Sequence, residues 1–288
     1  MVCGLRRADA TSMIGIITEF GKRVSTRWVT AILLPGSLWV IVFGIAVVLG
    51  HGSPFDLARL VAETEALGDE FVRHPGRAVV AVGLAVAGAG VAGTVATGLG
   101  RLAQRWFLRR RFLTGGLITR SRWSRRSRAL AAARRAGVDP VAAYLPQRPT
   151  WLGDRVRLVE ARVRAQYHVD ARLVWPRLWL LLDEDTRRPI SDAHARYADA
   201  VSLMGWGLLY LVPGVVWWPA LLISATVVVT AWTRLRVTVA ELAELIESAI
   251  DLRLRDLAEA IGTPFGGNEV KPVEGRALDD RLGKAGPA

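Results

Sequence analysis

Cysteine is almost absent from this 288-residue chain, in which Cys3 stands alone. A single thiol closes no intramolecular disulfide and no cysteine-based zinc site. Lysine is scarce as well: Lys22, Lys271 and Lys284 are the only lysines among 38 basic residues, and Asn268 is the only asparagine. That skew towards arginine matches a GC-rich bacterial genome. Histidine is limited to the scattered His51, His74, His168 and His194. No Walker A, GxSxG, HExxH or CxxC pattern occurs, so the usual signatures of phosphate-loop, serine-hydrolase, zinc-protease and dithiol chemistry are missing. The expectation is a non-enzyme with no catalytic residue, cofactor or metal site.

Charge is also missing, but only locally. The chain carries a net charge of +12, yet its mean hydropathy is +0.27 and 51% of its residues are hydrophobic. Charged residues are rarely buried, so a soluble domain this basic would be hydrophilic overall. Basic charge and apolar blocks must therefore be segregated, as in a membrane protein.

Residues 28–50 and 78–100 are uncharged runs, and each is long enough as a helix to cross a hydrocarbon core about 30 Å thick. The second contains the small-residue pairs Gly88/Ala92, Ala89/Gly93 and Thr94/Gly98, which let helix backbones approach closely. Packing against the chain's own helices is the expected use. Residues 200–233 form a longer uncharged block that reads as a hairpin of two short spans. The 211–214 and 216–219 stretches, each with a proline, supply the break, and 192–197 reads as a helical lead-in. A re-entrant hairpin is the alternative, although Trp217 and Trp218 at the tip favour full crossing. No ionisable residue lies within these runs, which disfavours a coupled carrier.

Arginine and lysine set the expected orientation. Residues 1–27 are net +3, 51–77 net −2, 101–199 net +13 and 234–288 net −2. The positive-inside rule puts both termini and 101–199 in the cytoplasm of a bacterial plasma membrane, and 51–77 outside. The first span reads as an uncleaved signal anchor.

The outer loop opens on Ser53-Pro54 with Asp56 after it, an expected helix start. Leu57, Leu60, Val61, Leu67 and Phe71 follow near one helical face. On the other side, residues 101–135 hold 12 arginines and no acid. Arg101, Arg105, Arg109, Arg110, Arg111, Arg120, Arg122, Arg125 and Arg126 are the candidate contacts to anionic lipid, at about 1 kcal/mol each. Aromatics interleave with them, but no nucleic-acid-binding motif is present, and nucleic acid is not the expected partner.

Residues 154–169 read as a helix with Val156, Val159 and Val163 inward, and 173–182 as a core or interfacial segment. The last helix, 234–262, is the clearest periodic signal. Val239, Leu242, Ile246, Ile250, Leu254, Leu257 and Ile261 share one face, and the other positions from 239 to 261 are net −4. An acidic amphipathic helix is unsuited to anionic lipid. Its stripe should pack on the 136–197 region or on a second copy, with its carboxylates meeting arginines. Residues 263–288 are rich in glycine and proline and read as a disordered tail.

The residues Pro149-Thr150-Trp-Leu-Gly153-Asp154, then Glu160, Tyr167, Asp170 and Trp175-Pro-Arg-Leu178, resemble a block in uncharacterised multi-pass membrane proteins of actinobacteria and other bacteria. Arg27-Trp28 and Leu34-Pro-Gly36 look like the same group, whose pattern has glycine where His168 stands here. The resemblance implies the architecture and no activity. It makes Asp154, Glu160, Asp170 and Arg177 the candidate functional surface.

The reading is an all-α polytopic protein with four transmembrane helices, an α-helical cytoplasmic domain between spans 2 and 3, and a long C-terminal amphipathic helix. The expected role is a membrane scaffold or regulator binding anionic lipid or a protein partner, self-association included. An oligomeric channel or transporter component is the alternative, and an enzyme on lipid-linked substrates comes third. A reporter fused at Gly68 should be active only outside the cytoplasm and one at Val141 only inside it; the reverse pattern would invert the orientation.

Overall fold

The computed structural model describes residues 34–108, 124, 127, 128, 131, 150–267 and 270–283. The described residues are helical, with no strand among them. In chain order the helices are α1 Leu34–Leu49, α2 Leu57–Arg73, α3 Pro75–Leu108, α4 Trp151–Tyr167, α5 Ala171–Leu181, α6 Glu184–Leu209, α7 Leu211–Val216, α8 Pro219–Ile261 and α9 Pro272–Gly283.

Three helical stretches are long and apolar enough to cross a membrane: 75–107, 184–216 and 219–261. That is the signature of a membrane protein. The span expected at 28–50 corresponds to α1, an apolar helix of 16 residues that is shorter than these three; residues 28–33 lie outside the described residues. By internal contacts the chain divides into two units, one of 1–101 with 202–230, the other of 102–201 with 231–288.

In the first unit, close backbone approach sets the packing. A Cβ on Gly36 of α1 would lie 2.4 Å from the carbonyl oxygen of Ala89, and one on Gly205 of α6 would lie 1.9 Å from that of Ala96. Ala89, Ala92 and Ala96 of α3 are buried. Of the expected small-residue pairs, Ala89, Ala92 and Gly93 are buried within the chain, whereas Thr94 and Gly98 are exposed. Polar groups close the remaining gaps: Trp39 Nε1 donates to Leu209 O at 3.2 Å, and Ser224 Oγ donates to Gly207 O at 2.7 Å.

Of the two expected breaks in 200–233, only one is a full break. Helix α7 carries Pro213 in its first turn, where a missing N–H leaves no bond unmade. The chain turns instead at Trp217 and Trp218, before Pro219 opens α8. At that turn Trp217 Nε1 donates to Pro54 O at 2.9 Å, and Trp218 meets Phe55 edge-to-face at 5.7 Å. Helix α2 starts later than expected: Asp56, not Ser53, is its cap, accepting from Arg59 N at 3.0 Å. Leu57, Val61 and Leu67 along it are exposed.

The second unit is built on a hydrophobic core. Ile250, Leu254 and Leu257 of α8 are buried with Val159 and Val163 of α4, Val174 and Leu178 of α5, and Leu278 and Leu282 of α9. The apolar stripe expected at 239–261 therefore does pack on this region. It belongs to the same helix as the apolar run before it, however, because nothing in residues 230–238 breaks a helix.

The expectation of a disordered 263–288 tail is overturned by α9. Pro272 takes the first helical position, and Glu274 reaches back to accept from Lys271 N at 2.9 Å, half of a capping box. Glu274 also accepts from Gly266 N at 2.8 Å. Glycine and proline there punctuate a short helix rather than dissolve it.

Gly275 lets α9 approach the α4–α5 turn, since a Cβ on it would lie 2.1 Å from Tyr167 O. Gly275→Ala should detach α9, exposing the chain beyond Ile261 to limited proteolysis and lowering the melting temperature in detergent. Gly283→Ala, whose Cβ would meet only Leu173 Cδ1 at 4.0 Å, should leave both unchanged.

Candidate functional site

The Pro-Thr-x-x-Gly-Asp element is a helix start. Thr150 Oγ1 accepts from Gly153 N at 3.2 Å and donates to Phe107 O, joining the head of α4 to the end of α3. A threonine cap of this kind is worth about 1 kcal/mol. Asp154 follows in the first turn, where a carboxylate opposes the positive end of the helix. It is 5% exposed and lies 3.7 Å from Arg157 Nε. Pro149 lies outside the described residues.

The next element is a turn between helices. His168 ends α4 in the left-handed region at φ 58°, a conformation that glycine adopts at least cost. Asp170 then caps α5, accepting from Arg172 N at 2.9 Å, and pairs with Arg164. Its own backbone N–H goes to the Asp279 carboxylate of α9 at 2.9 Å. Glu160 on α4 takes a bidentate pair from Arg172 at 3.0–3.1 Å. Arg177 donates to Leu173 O and to Leu282 O, both at 2.7 Å, tying α5 to the end of α9.

Glu160, Asp170 and Arg177 therefore gather around α5 as joints between helices. Asp154 sits at the other end of α4. Sequence reasoning missed Asp279 and Glu274, which hold the same joints from the C-terminal segment. Their signal was the Pro272-Val-Glu274 helix start.

The carboxylates of α8 meet arginines, as expected of an acidic helix beside a basic region. Among the described residues the partners from other helices are Arg162 and Arg196, while most of the 101–135 cluster lies outside the described residues. Arg162 Nη1 donates to both oxygens of Glu247 at 2.9–3.1 Å, and Arg196 pairs with Glu241. The Tyr167 hydroxyl donates to Asp251 at 2.9 Å; burial and that hydrogen bond push its pKa up to about 12.

Of the arginines proposed to meet lipid, Arg101 and Arg105 on α3 are exposed, whereas Arg109, Arg110, Arg111, Arg120, Arg122, Arg125 and Arg126 lie outside the described residues. Arg234 follows the uncharged run of α8 and helps line a hollow of about 400 Å³ with Arg196, Asp199, Thr233 and Thr238. A second cavity of about 370 Å³ is mostly apolar, walled by α3, α4, α5, α6 and α8. Its polar residues are the Glu160–Arg172 pair, Gln104, His194 and Tyr197. Among the described residues, no three His, Cys, Asp or Glu side chains cluster as a metal site requires.

Comparison with known protein families, with curated proteins and with solved structures finds no match.

Two carboxylates at α9 respond to acid in opposite directions. The hydrogen bonds from Gly266 and Lys271 hold Glu274 below its ordinary 4.5, so its contribution is fully present above pH 4.5 and is lost as pH falls through the folded-state value. Burial holds Asp279 above its ordinary 3.8, so its ionised form opposes folding at neutral pH and that penalty disappears below 3.8. Glu274→Gln should lower the melting temperature at pH 7, with the gap to the parent closing below pH 4.5. Asp279→Asn keeps an acceptor for the Asp170 N–H without the charge and should be neutral or stabilising at pH 7, whereas Asp279→Ala should destabilise by roughly 1–3 kcal/mol. Thermal melts in detergent across pH check both.

Proposed function

We propose that the chain is a non-enzymatic scaffold or regulator of the bacterial plasma membrane, which engages anionic lipid and a protein partner through its cytoplasmic side. In this reading it crosses the membrane four times, both termini are cytoplasmic, and it belongs with the multi-pass proteins that its 149–178 block resembles.

The observation that carries the reading is the placement of arginine at the ends of apolar helical runs. The uncharged run of α3 ends at Gly100 and is followed directly by the exposed Arg101 and Arg105. That of α8 ends at Thr233 and is followed by Arg234, which lines the hollow with Arg196 and Asp199. Guanidinium groups so placed meet lipid phosphates with paired N–H donors, a geometry lysine lacks. The roles of Glu160, Asp170 and Arg177 in joining helices also suit a scaffold better than a reacting centre.

The test is the lipid that purifies with the protein. In detergent, phosphatidylglycerol or cardiolipin should be enriched over the bulk membrane. Changing Arg101, Arg105, Arg109, Arg110 and Arg111 together to Gln should reduce that enrichment at least tenfold, since each contributes about 1 kcal/mol. A reporter at Gly68 confirms that the variant keeps its orientation. Equal, bulk-like lipid in both proteins would overturn lipid engagement, and an ion-conducting reconstituted oligomer would overturn the scaffold.

A further inference from the structure

The apolar cavity of the second unit has no partner in the reading above. Protein cores contain few voids larger than a water molecule. This one is about 370 Å³, inside the range of small-molecule sites, roughly 300–1,000 Å³. Its walls include Val156, Val159, Trp175, Val239, Leu242 and Ile246. Val156 lines this space and is 39% exposed, although it lies on the same helical face as the buried Val159 and Val163. Apolar walls do not hold ordered water well.

Three features select the occupant. The volume is too small for a helix, which is about 10–12 Å across, but suits one unbranched hydrocarbon chain. Part of the wall comes from segments next to the apolar runs in sequence: Gln104 follows the run that ends at Gly100, His194 and Tyr197 precede the one that starts at Ala200, and Val239 and Leu242 follow its end at Thr233. The charged residues of the lining are Arg172 and Glu160, which pair with each other. Nε and Nη2 of Arg172 are held by Glu160, a pairing that fixes the guanidinium plane while Nη1 takes no part.

We infer that this cavity binds the acyl chain of a membrane amphiphile whose anionic head meets Arg172. The inference rests on the membrane reading and adds a ligand to it. A free fatty acid and an acidic phospholipid share the required chemistry, a hydrocarbon chain and an anion.

Photo-crosslinking in native membranes tests it. Two chain-labelled diazirine probes, a fatty acid and a phosphatidylglycerol, are applied to the full-length protein and the labelled peptides are mapped. At least one probe should label residues within 152–175 or 239–246, and whichever does identifies the source. Val156→Trp, which fills the cavity from its exposed side, should cut that labelling at least tenfold without changing labelling in 75–100 or 200–233. Arg172→Gln should weaken capture of the anionic probes about tenfold while leaving a chain-labelled diacylglycerol unaffected. Labelling confined to 34–49, 75–100 and 200–233 would overturn the cavity inference and leave the membrane reading standing. Release of the protein by alkaline carbonate, with no labelling anywhere, would overturn the membrane reading itself.

Discussion

The second unit depends on the burial of one stripe of α8. Ile250, Leu254 and Leu257 recur at helical spacing and are almost wholly removed from water. Burying each such side chain stabilises by roughly 1.5–3 kcal/mol, more than any single cap or ion pair around them. Once that stripe must be covered, α4 and α5 need a tight reversal between them, and α9 needs a route back over the turn. His168 and Gly275 answer those two needs. The charged residues follow the same logic: Arg162 and Arg196 stand where α8 presents Glu247 and Glu241.

Much of this is legible in the sequence because a long period leaves little ambiguity. Seven apolar residues over six turns define the face of α8, and the uncharged runs define the apolar helices by length alone. Shorter signals compete with one another. Before α2, Ser53 and Asp56 are both acceptable caps, and only the backbone course decides for Asp56. At 211–219 two prolines offer a break, but one falls in the first turn of a helix, where it is harmless. In 263–283 composition argues for disorder while Pro272, Glu274 and Gly283 argue for a helix. The local signals win because Leu278 and Leu282 complete a core that most of the chain has already built. Propensity alone would not order a twelve-residue helix.

The candidate site is legible in a different sense. The residues singled out between 149 and 178 do cluster in part, and their geometry explains why such a pattern would hold together as a block. Thr150 and Gly153 start a helix, His168 reverses the chain, Asp170 starts the next helix, and Arg177 ties it to the C-terminal segment. The apolar cavity was not legible, because it is bounded by parts of five separate stretches of chain whose individual residues look like ordinary core.

The C-terminal segment is fastened by guanidinium groups that each reach a backbone carbonyl: Arg177 to Leu282, Arg255 to Gly267 and Arg281 to Gly262. Arg177 spans two carbonyls at once, through separate nitrogens on one rigid plane. A lysine ammonium is a point charge that offers no such fork. At that position arginine, and not merely a positive charge, is part of the architecture. The fork matters most at Arg177: Arg255 and Arg281 each give one bond to a carbonyl that an ammonium could also give, whereas a lysine in place of Arg177 would have to choose between Leu173 and Leu282.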